Sequence, residues 1–272
     1  MKNSKIKKVH DFWNAESCGE RYATGNTSSK KFLNEIKNRY KLEPYIKKFV
    51  KFAEFKGKDV LEIGVGLGCD HCEIAKNKPR SLTGIDLTER AILNTKARFR
   101  KLGLKSILKI ADSEKLPFSD ETFDAVYSWG VLHHSPNTEK CFKEVYRVLK
   151  PKGVAKIMIY HKYSPVGLML WLKYGFLKLK PFQNLNSIYS KYLESPGTKA
   201  YTLKEAFELT KMFSKKEIQI QLSFGDLLEG KVGSRHKGLI LSLARIMYPK
   251  ILVKMIAKFL PIGGCLLIKV EK

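Results

Sequence analysis

From residue 58 onward, short apolar runs alternate with amphipathic stretches, and glycines and prolines punctuate the alternation. Residues 59–64 are an apolar run that predicts a strand, and the glycine turn after it can open a helix over 69–78. SLTGID at 81–86 predicts the next strand. TERAILNTKARFRKL at 88–102 predicts an amphipathic helix, with the Thr88 hydroxyl placed to cap it. Strands follow at 106–111 and 123–128, then a helix at 137–149 stopped by Pro151 and Gly153, then a fifth strand at 154–160. Strand, helix and strand repeated in this way require parallel pairing through crossover helices. The expected fold class is therefore α/β, a doubly wound sheet that binds ligands at the carboxyl ends of its strands.

Two later stretches break this rhythm. Residues 161–201 and 225–261 are long, basic and aromatic-rich, and between them a helix at 202–213 and a strand at 217–224 return to the α/β pattern. A last apolar strand spans 265–270. The expected organisation is an N-terminal helical lid (1–57), a ligand-binding core (58–160) and a cap insertion (161–201). A core continuation (202–224), an amphipathic insertion (225–261) and a final core strand (262–272) complete it. In PKILVKMIAKFLP at 249–261, Lys250, Lys254 and Lys258 share one helical face, and nearly everything between them is apolar. This pattern fits an interfacial helix on an anionic membrane, or a cap helix with snorkelling lysines over an apolar pocket.

Charge sharpens the division. The net charge is +25, of which residues 1–58 carry +9, residues 59–153 +3 and residues 154–272 +13. A basic surplus attracts nucleic acid, anionic lipid or acidic substrates. Against that, 42 of the 51 basic residues are lysine, which compositional bias alone would produce. The basic N-terminus has no apolar run after it, so no signal peptide is expected, and no stretch is long and apolar enough to span a bilayer. Five irregularly spaced cysteines suggest reduced thiols. The expected location is cytoplasmic, or peripheral on the inner membrane face.

VLEIGVGLGCD at 60–70 carries the candidate chemistry. A dinucleotide fingerprint would place its third glycine at position 69, which is Cys69. Gly64, Gly66 and Gly68 instead alternate, and Glu62 stands two residues before the first. A carboxylate there repels a pyrophosphate and suits an ammonium group. Asp86 ends the second strand, where an acid accepts hydrogen bonds from ribose hydroxyls, and Leu87 would lie against a base. Asp112 follows the third strand and can accept from an exocyclic amino group. Ammonium, ribose and adenine together describe S-adenosylmethionine.

With these residues in place, the sequence resembles class I S-adenosylmethionine-dependent methyltransferases, of the type 11 small-molecule branch. The resemblance rests on ExGxGxG at 62–68, GIDLT, ADSEKLPF, and FDAVYSWGVLHHSP followed by EVYRVLKPKG, and it covers roughly residues 40–160. It implies a seven-stranded Rossmann-like methyltransferase sheet with an antiparallel last strand and cap insertions, and S-adenosyl-L-methionine as cofactor. It also implies that Glu62, Gly64, Gly66 and Gly68 line the methionine moiety, that Asp86 holds the ribose, and that Asp112 and Ser113 hold the adenine. Trp129 and Gly130 would flank the cofactor, and Tyr22, Arg39 and Tyr40 are candidates for a lid over it. A short-chain dehydrogenase would need Tyr-x-x-x-Lys. That pattern occurs at both Tyr174–Lys178 and Tyr146–Lys150, and so carries little information in a chain this rich in lysine.

Methyl transfer from a sulfonium mostly requires positioning, with a base where the acceptor must lose a proton. His133, which follows the fourth strand, and Tyr160 and His161, which end the fifth, are the candidate catalytic residues. Asp70 reads as a helix cap. The Cys69-x-x-Cys72 pair has no second pair to complete a zinc site, so no metal is expected. The apolar insertions favour a small hydrophobic acceptor of quinone, lipid, isoprenoid or natural-product type. An RNA methyltransferase, or a cofactor-binding partner subunit without transfer activity, stands as the alternative.

Overall fold

The structure is a computed structural model, and it describes residues 2–17, 29–229 and 248–272. Tyr22 lies outside the described residues. Seven strands form one sheet: β1 (Asp59–Ile63), β2 (Ser81–Asp86), β3 (Ile107–Ile110), β4 (Phe123–Trp129), β5 (Leu149–Tyr160), β6 (Lys215–Gln221) and β7 (Cys265–Glu271). Their spatial order is β3-β2-β1-β4-β5-β7-β6. β1 to β5 pair in parallel, and β7 runs antiparallel to both β5 and β6. The order reverses between β1 and β4, and a doubly wound sheet opens a crevice for ligand at that point.

The helices are α1 (Lys2–Ala15), α2 (Ser29–Leu42), α3 (Tyr45–Val50), α4 (Cys69–Lys76), α5 (Glu89–Leu102) and α6 (Thr138–Val148), then α7 (Pro165–Tyr174), α8 (Leu185–Tyr192), α9 (Leu203–Leu209) and α10 (Lys250–Phe259). β1 and β4 are buried on both faces because helices cover both sides. On one face Phe142 and Val145 of α6, Ala206 of α9 and Phe213 pack on the apolar side chains of β4, β5 and β7. On the other, Ile46 and Val50 of α3, Phe52 and Phe55 of a short 3-10 turn, and Cys72 and Ile74 of α4 pack on Val60, Tyr127 and Leu267. α7 and α8 form a separate small cluster around Leu170, Ile188 and Tyr189. This is the cap, and it sits over the carboxyl ends of the strands.

Local chemistry sets the element ends. The Thr88 hydroxyl accepts the Ala91 N–H, and Asn137 caps α6 through the Lys140 N–H. Thr202 and Glu205 cap α9 reciprocally, but α9 stops at Leu209, short of the predicted 213. Similarly, α4 ends at Lys76 and β3 is trimmed to four residues. The largest departure is at β5, which begins directly after α6. Pro151 falls inside it rather than before it, at a register irregularity against β4 where Lys152 takes a left-handed φ of 63°. β6 ends at Gln221, three residues before the predicted boundary, so residues 222–224 leave the sheet and turn toward the ligand crevice.

Candidate active site

The turn after β1 is built from glycines in the left-handed region: φ is 83° at Gly64, 50° at Gly66 and 74° at Gly68. Each has a different reason to lack a side chain. A Cβ on Gly64 would meet Val131 Cγ2 at 2.1 Å, and one on Gly68 would meet Thr95 Oγ1 at 2.8 Å. A Cβ on Gly66 would meet nothing within 4 Å, because this glycine borders the cavity. The backbone N–H of Gly66 donates to Asp86 Oδ2 at 3.1 Å, and Asp86 Oδ1 accepts from the backbone and hydroxyl of Thr88. The acid at the end of β2 thus pins the glycine turn while it borders the cavity itself. Burial raises its pKa, against the pull of these donors.

Glu62 does not face the ligand cavity, contrary to the sequence-based expectation. It is buried behind the turn, where Oε2 lies 2.8 Å from Nδ1 of His71, and His71 Nε2 lies 2.6 Å from the Ser106 hydroxyl. Burial pushes His71 down to about 3, so the ring is neutral, and burial together with nearby Asp70 raises Glu62. Gly68 likewise packs against α5 rather than bordering the cavity.

A second carboxylate facing the cavity near this turn is Glu43, just after α2. Arg39 of α2 also borders the cavity. It donates Nε and Nη2 to the two oxygens of Asp70, at 2.8 and 2.6 Å, and Nη1 to Glu43 at 3.2 Å. Burial alone would raise Asp70, but the Arg39 guanidinium and the Tyr127 and Tyr40 hydroxyls overcome it and hold the acid ionised. Tyr40 therefore buttresses Asp70 from behind and does not border the cavity. One guanidinium thus stands between the ionised Asp70 and Glu43, whose own carboxyl burial raises.

The cavity holds about 290 Å³ and runs along the carboxyl edge of the sheet. Asp86 and Leu87 border it after β2, Ala111 with Asp112 and Ser113 after β3, and Trp129 with Gly130 after β4. Asp112 Oδ1 accepts the Glu114 N–H, which fixes the loop that carries it. Trp129 stacks on Tyr127 at 6.1 Å and 23°. Past Trp129 the cavity continues without a break into the cap, bordered by Trp13 of α1, Met158, Val166, Tyr189 and Leu193.

This far end carries the titratable groups suited to an acceptor. His133 is not among them: it is fully buried, neither ring nitrogen has a partner among the described residues, and its ring lies 4.0 Å from that of Tyr160. Burial holds it neutral, with His134 and Lys199 adding to the effect. Leu132–His134 is a 3-10 turn, in which successive side chains point about 120° apart, so His134 faces the cavity and His133 faces the core. His134 Nδ1 lies 2.9 Å from Ser195 Oγ and 3.1 Å from Thr198 Oγ1, and Nε2 is 3.5 Å from Glu194 Oε2. Tyr160 does border the cavity and donates its hydroxyl to Glu194 Oε2 at 2.7 Å. His161 borders it too, donates Nδ1–H to the Gly263 carbonyl at 2.8 Å, and is kept neutral chiefly by burial. Glu194, Glu43 and Trp13 carried no sequence motif and reach the site only through tertiary packing, whereas His134 stands in the VLHHSP segment beside His133.

Cys69 and Cys72 are buried thiols that burial pushes up to about 11 and about 12, and no group of three His, Cys, Asp or Glu among the described residues could hold a metal. Tyr146 and Tyr174, the dehydrogenase-like matches, lie away from the cavity on α6 and α7.

Residues 61–157 match a methyltransferase domain family. Over 97 residues the chain is 43% identical to cycloartenol-C-24-methyltransferase 1 of Oryza sativa subsp. japonica, covering 35% of this chain and 28% of that protein. Over 114 residues it is 33% identical to phosphoethanolamine N-methyltransferase 2 of Caenorhabditis elegans, covering 41% and 26%. The chain thus spans less than a third of the length of the curated relatives it matches. Among solved structures, a S-adenosylmethionine-dependent methyltransferase of Mesorhizobium loti aligns with a TM-score of 0.54 at 14% identity, over 80% of this chain and 93% of that one. A phosphoethanolamine N-methyltransferase 2 of Haemonchus contortus, in complex with S-adenosylhomocysteine, aligns at 0.55 and 19%, over 80% and 49%. These likenesses show the fold.

Proposed function

We propose that this chain, which carries a methyltransferase domain at residues 61–157, transfers a methyl group from S-adenosylmethionine to a small hydrophobic acceptor. The observation that carries this reading is the continuity of one cavity from the glycine turn, Asp86 and Asp112 to an apolar chamber under the cap. The sheet end fits the cofactor. Gly66 leaves backbone open to the ligand, Asp86 suits ribose hydroxyls, and Asp112 with Ser113 suits a base edge. When bound there, S-adenosylmethionine supplies an electrophilic methyl group on a sulfonium.

The chain's own task is then to seat the acceptor and exclude water. Val166, Tyr189 and Leu193 provide the apolar wall, and Trp13 closes it from α1. Where the acceptor must lose a proton, Glu194 is the group placed to take it. The Tyr160 hydroxyl orients that carboxylate, and His134 stands behind it. The matched relatives do not fix the acceptor. Those quoted are named for a sterol-type and a phosphoethanolamine substrate, and the family match ends at residue 157, before the cap begins. The acceptor class therefore rests on the cavity wall.

The test is incubation of the chain with methyl-labelled S-adenosylmethionine and a fractionated cell extract. Label is expected in the solvent-extractable lipid fraction. Label in RNA or protein alone would contradict the reading.

A further inference from the structure

Two late segments of the chain are basic and free of acidic residues. Residues 161–193 contain five lysines and no acidic residue; residues 230–260 contain seven lysines or arginines and none either. Elsewhere the chain carries all 26 of its Asp and Glu. Residues 90–111 also carry seven lysines or arginines and no acid, so what sets these two segments apart is where their apolar side chains lie.

Where the structure describes them, both segments also leave several large apolar side chains outside. α10 buries none of its residues: Ile251, Leu252, Met255 and Phe259 are exposed, Phe259 at 85%. In the other segment Leu168 and Leu172 of α7 are exposed, and the turn that follows presents Leu177, Leu179 at 91% and Phe182 at 99%. Scattered single apolar residues are ordinary on a surface, but runs of this kind mark an interaction site.

Asp226 brings the two segments to one rim. Its carboxylate is fully buried and accepts the Val166 N–H at 3.2 Å and the Gly264 N–H at 2.6 Å. Its carbonyl accepts the Tyr248 hydroxyl at 2.8 Å. The start of α7, the approach to α10 and the return from α10 are thus fastened at one point, and Val166 and Gly264 border the cavity there.

We propose that this rim docks on an anionic lipid surface, with α10 and the 176–182 turn inserted at the headgroup level, so that the cavity opens toward the bilayer. The charge is complementary: an interfacial helix combines an apolar face with lysines that reach anionic headgroups, and each basic residue near such a surface contributes roughly 1 kcal/mol. No helix among the described residues is long and apolar enough to cross a membrane, so the contact lies on the surface. A polyanionic nucleic acid meets the same charge, but most of the exposed apolar area here is aliphatic, Ile251, Leu252, Met255, Leu177 and Leu179, which hydrocarbon accepts and a nucleic acid does not.

The inference extends the reading of a hydrophobic acceptor, but its test does not depend on methyl transfer. The full chain is sedimented with vesicles of neutral phosphatidylcholine and with vesicles containing phosphatidylglycerol. Wild type and an Ile251→Glu/Met255→Glu variant are compared. Binding is expected to the anionic vesicles at least tenfold above the neutral ones, to weaken as salt rises, and to fall at least tenfold in the variant. Unchanged far-UV dichroism and thermal midpoint in the variant confirm that it folds. Equal binding to both vesicle types, or no loss in the variant, overturns the proposal. RNA retention that the variant leaves intact, with no vesicle binding, assigns the surface to nucleic acid instead. Loss of S-adenosylmethionine binding in the wild type would sink the enzymatic reading and leave this result standing.

Discussion

In β4 and α6 the side chains that face the sheet layer are enclosed: Phe123, Val126, Tyr127, Phe142 and Val145 are all buried, and the charge of residues 59–153 is nearly balanced. In α10 none is enclosed, and the segment around it has lost its acids altogether. Both regions are apolar and helical or sheet-forming, and hydropathy alone does not separate them. What separates them is which solvent each is built for. The sheet excludes water by packing against its helices, whereas α10 leaves apolar side chains exposed among lysines.

Substitutions should therefore act differently in the two regions. The largest effect is expected in the sheet layer, where Phe142→Ala should cost about 3–5 kcal/mol of stability, read by chemical denaturation. A cost below about 1 kcal/mol would mean that this face is loosely packed and the contrast is overstated. Next comes the division of labour within the cavity. Glu194→Gln, in the cap, should lower kcat by about 100-fold while leaving S-adenosylmethionine affinity unchanged, as expected for a base. An equal loss in cofactor affinity would move Glu194 out of the acceptor chamber.

A smaller effect should appear with pH. His71 and His133 are buried and neutral, His71 with its pKa near 3, whereas in the unfolded chain each protonates below about 6.5. Their folded pKa values are depressed, so the unfolded state takes up more protons as pH falls. Stability should decline below about pH 6.5, by up to roughly 1.4 kcal/mol per pH unit for each histidine, down to about pH 3 for His71. Denaturation midpoints measured from pH 7 to 4 check this, and Asn at position 71 should flatten the slope. The smallest effect belongs to α10: Leu252→Ser should change stability by no more than about 0.5 kcal/mol, because the side chain already meets solvent.

The order of β1 to β5 and the turn at Gly64–Gly68 were legible because strands and glycine turns are local. Burial periodicity and φ are written in neighbouring residues, and so is the Asp86 that closes the turn. Glu62 was misplaced because both faces of β1 are buried, so adjacency to the turn did not say which side its carboxylate would take. His71, nine residues later, supplies the missing information. His134, not the expected His133, borders the cavity for a similar reason, since a 3-10 turn separates adjacent side chains by a third of a revolution. Glu43 and Glu194 could not be found at all. They enter the cavity from segments some 20 residues before and 130 residues after the glycine turn, and only packing brings them there. The lysine spacing of α10 left two readings open, an interfacial helix or a cap helix over a pocket, and the docking proposal starts from the finding that the helix buries none of its residues.

The central claim is that the crevice at the glycine turn binds S-adenosylmethionine through Asp86, and calorimetric titration of the chain and of Asp86→Ala tests it most directly. The account predicts one binding site in the wild type and an affinity at least about tenfold weaker in the variant, the loss expected for a hydrogen bond to a charged group. No heat of binding in the wild type, or equal affinity in the two proteins, would contradict it.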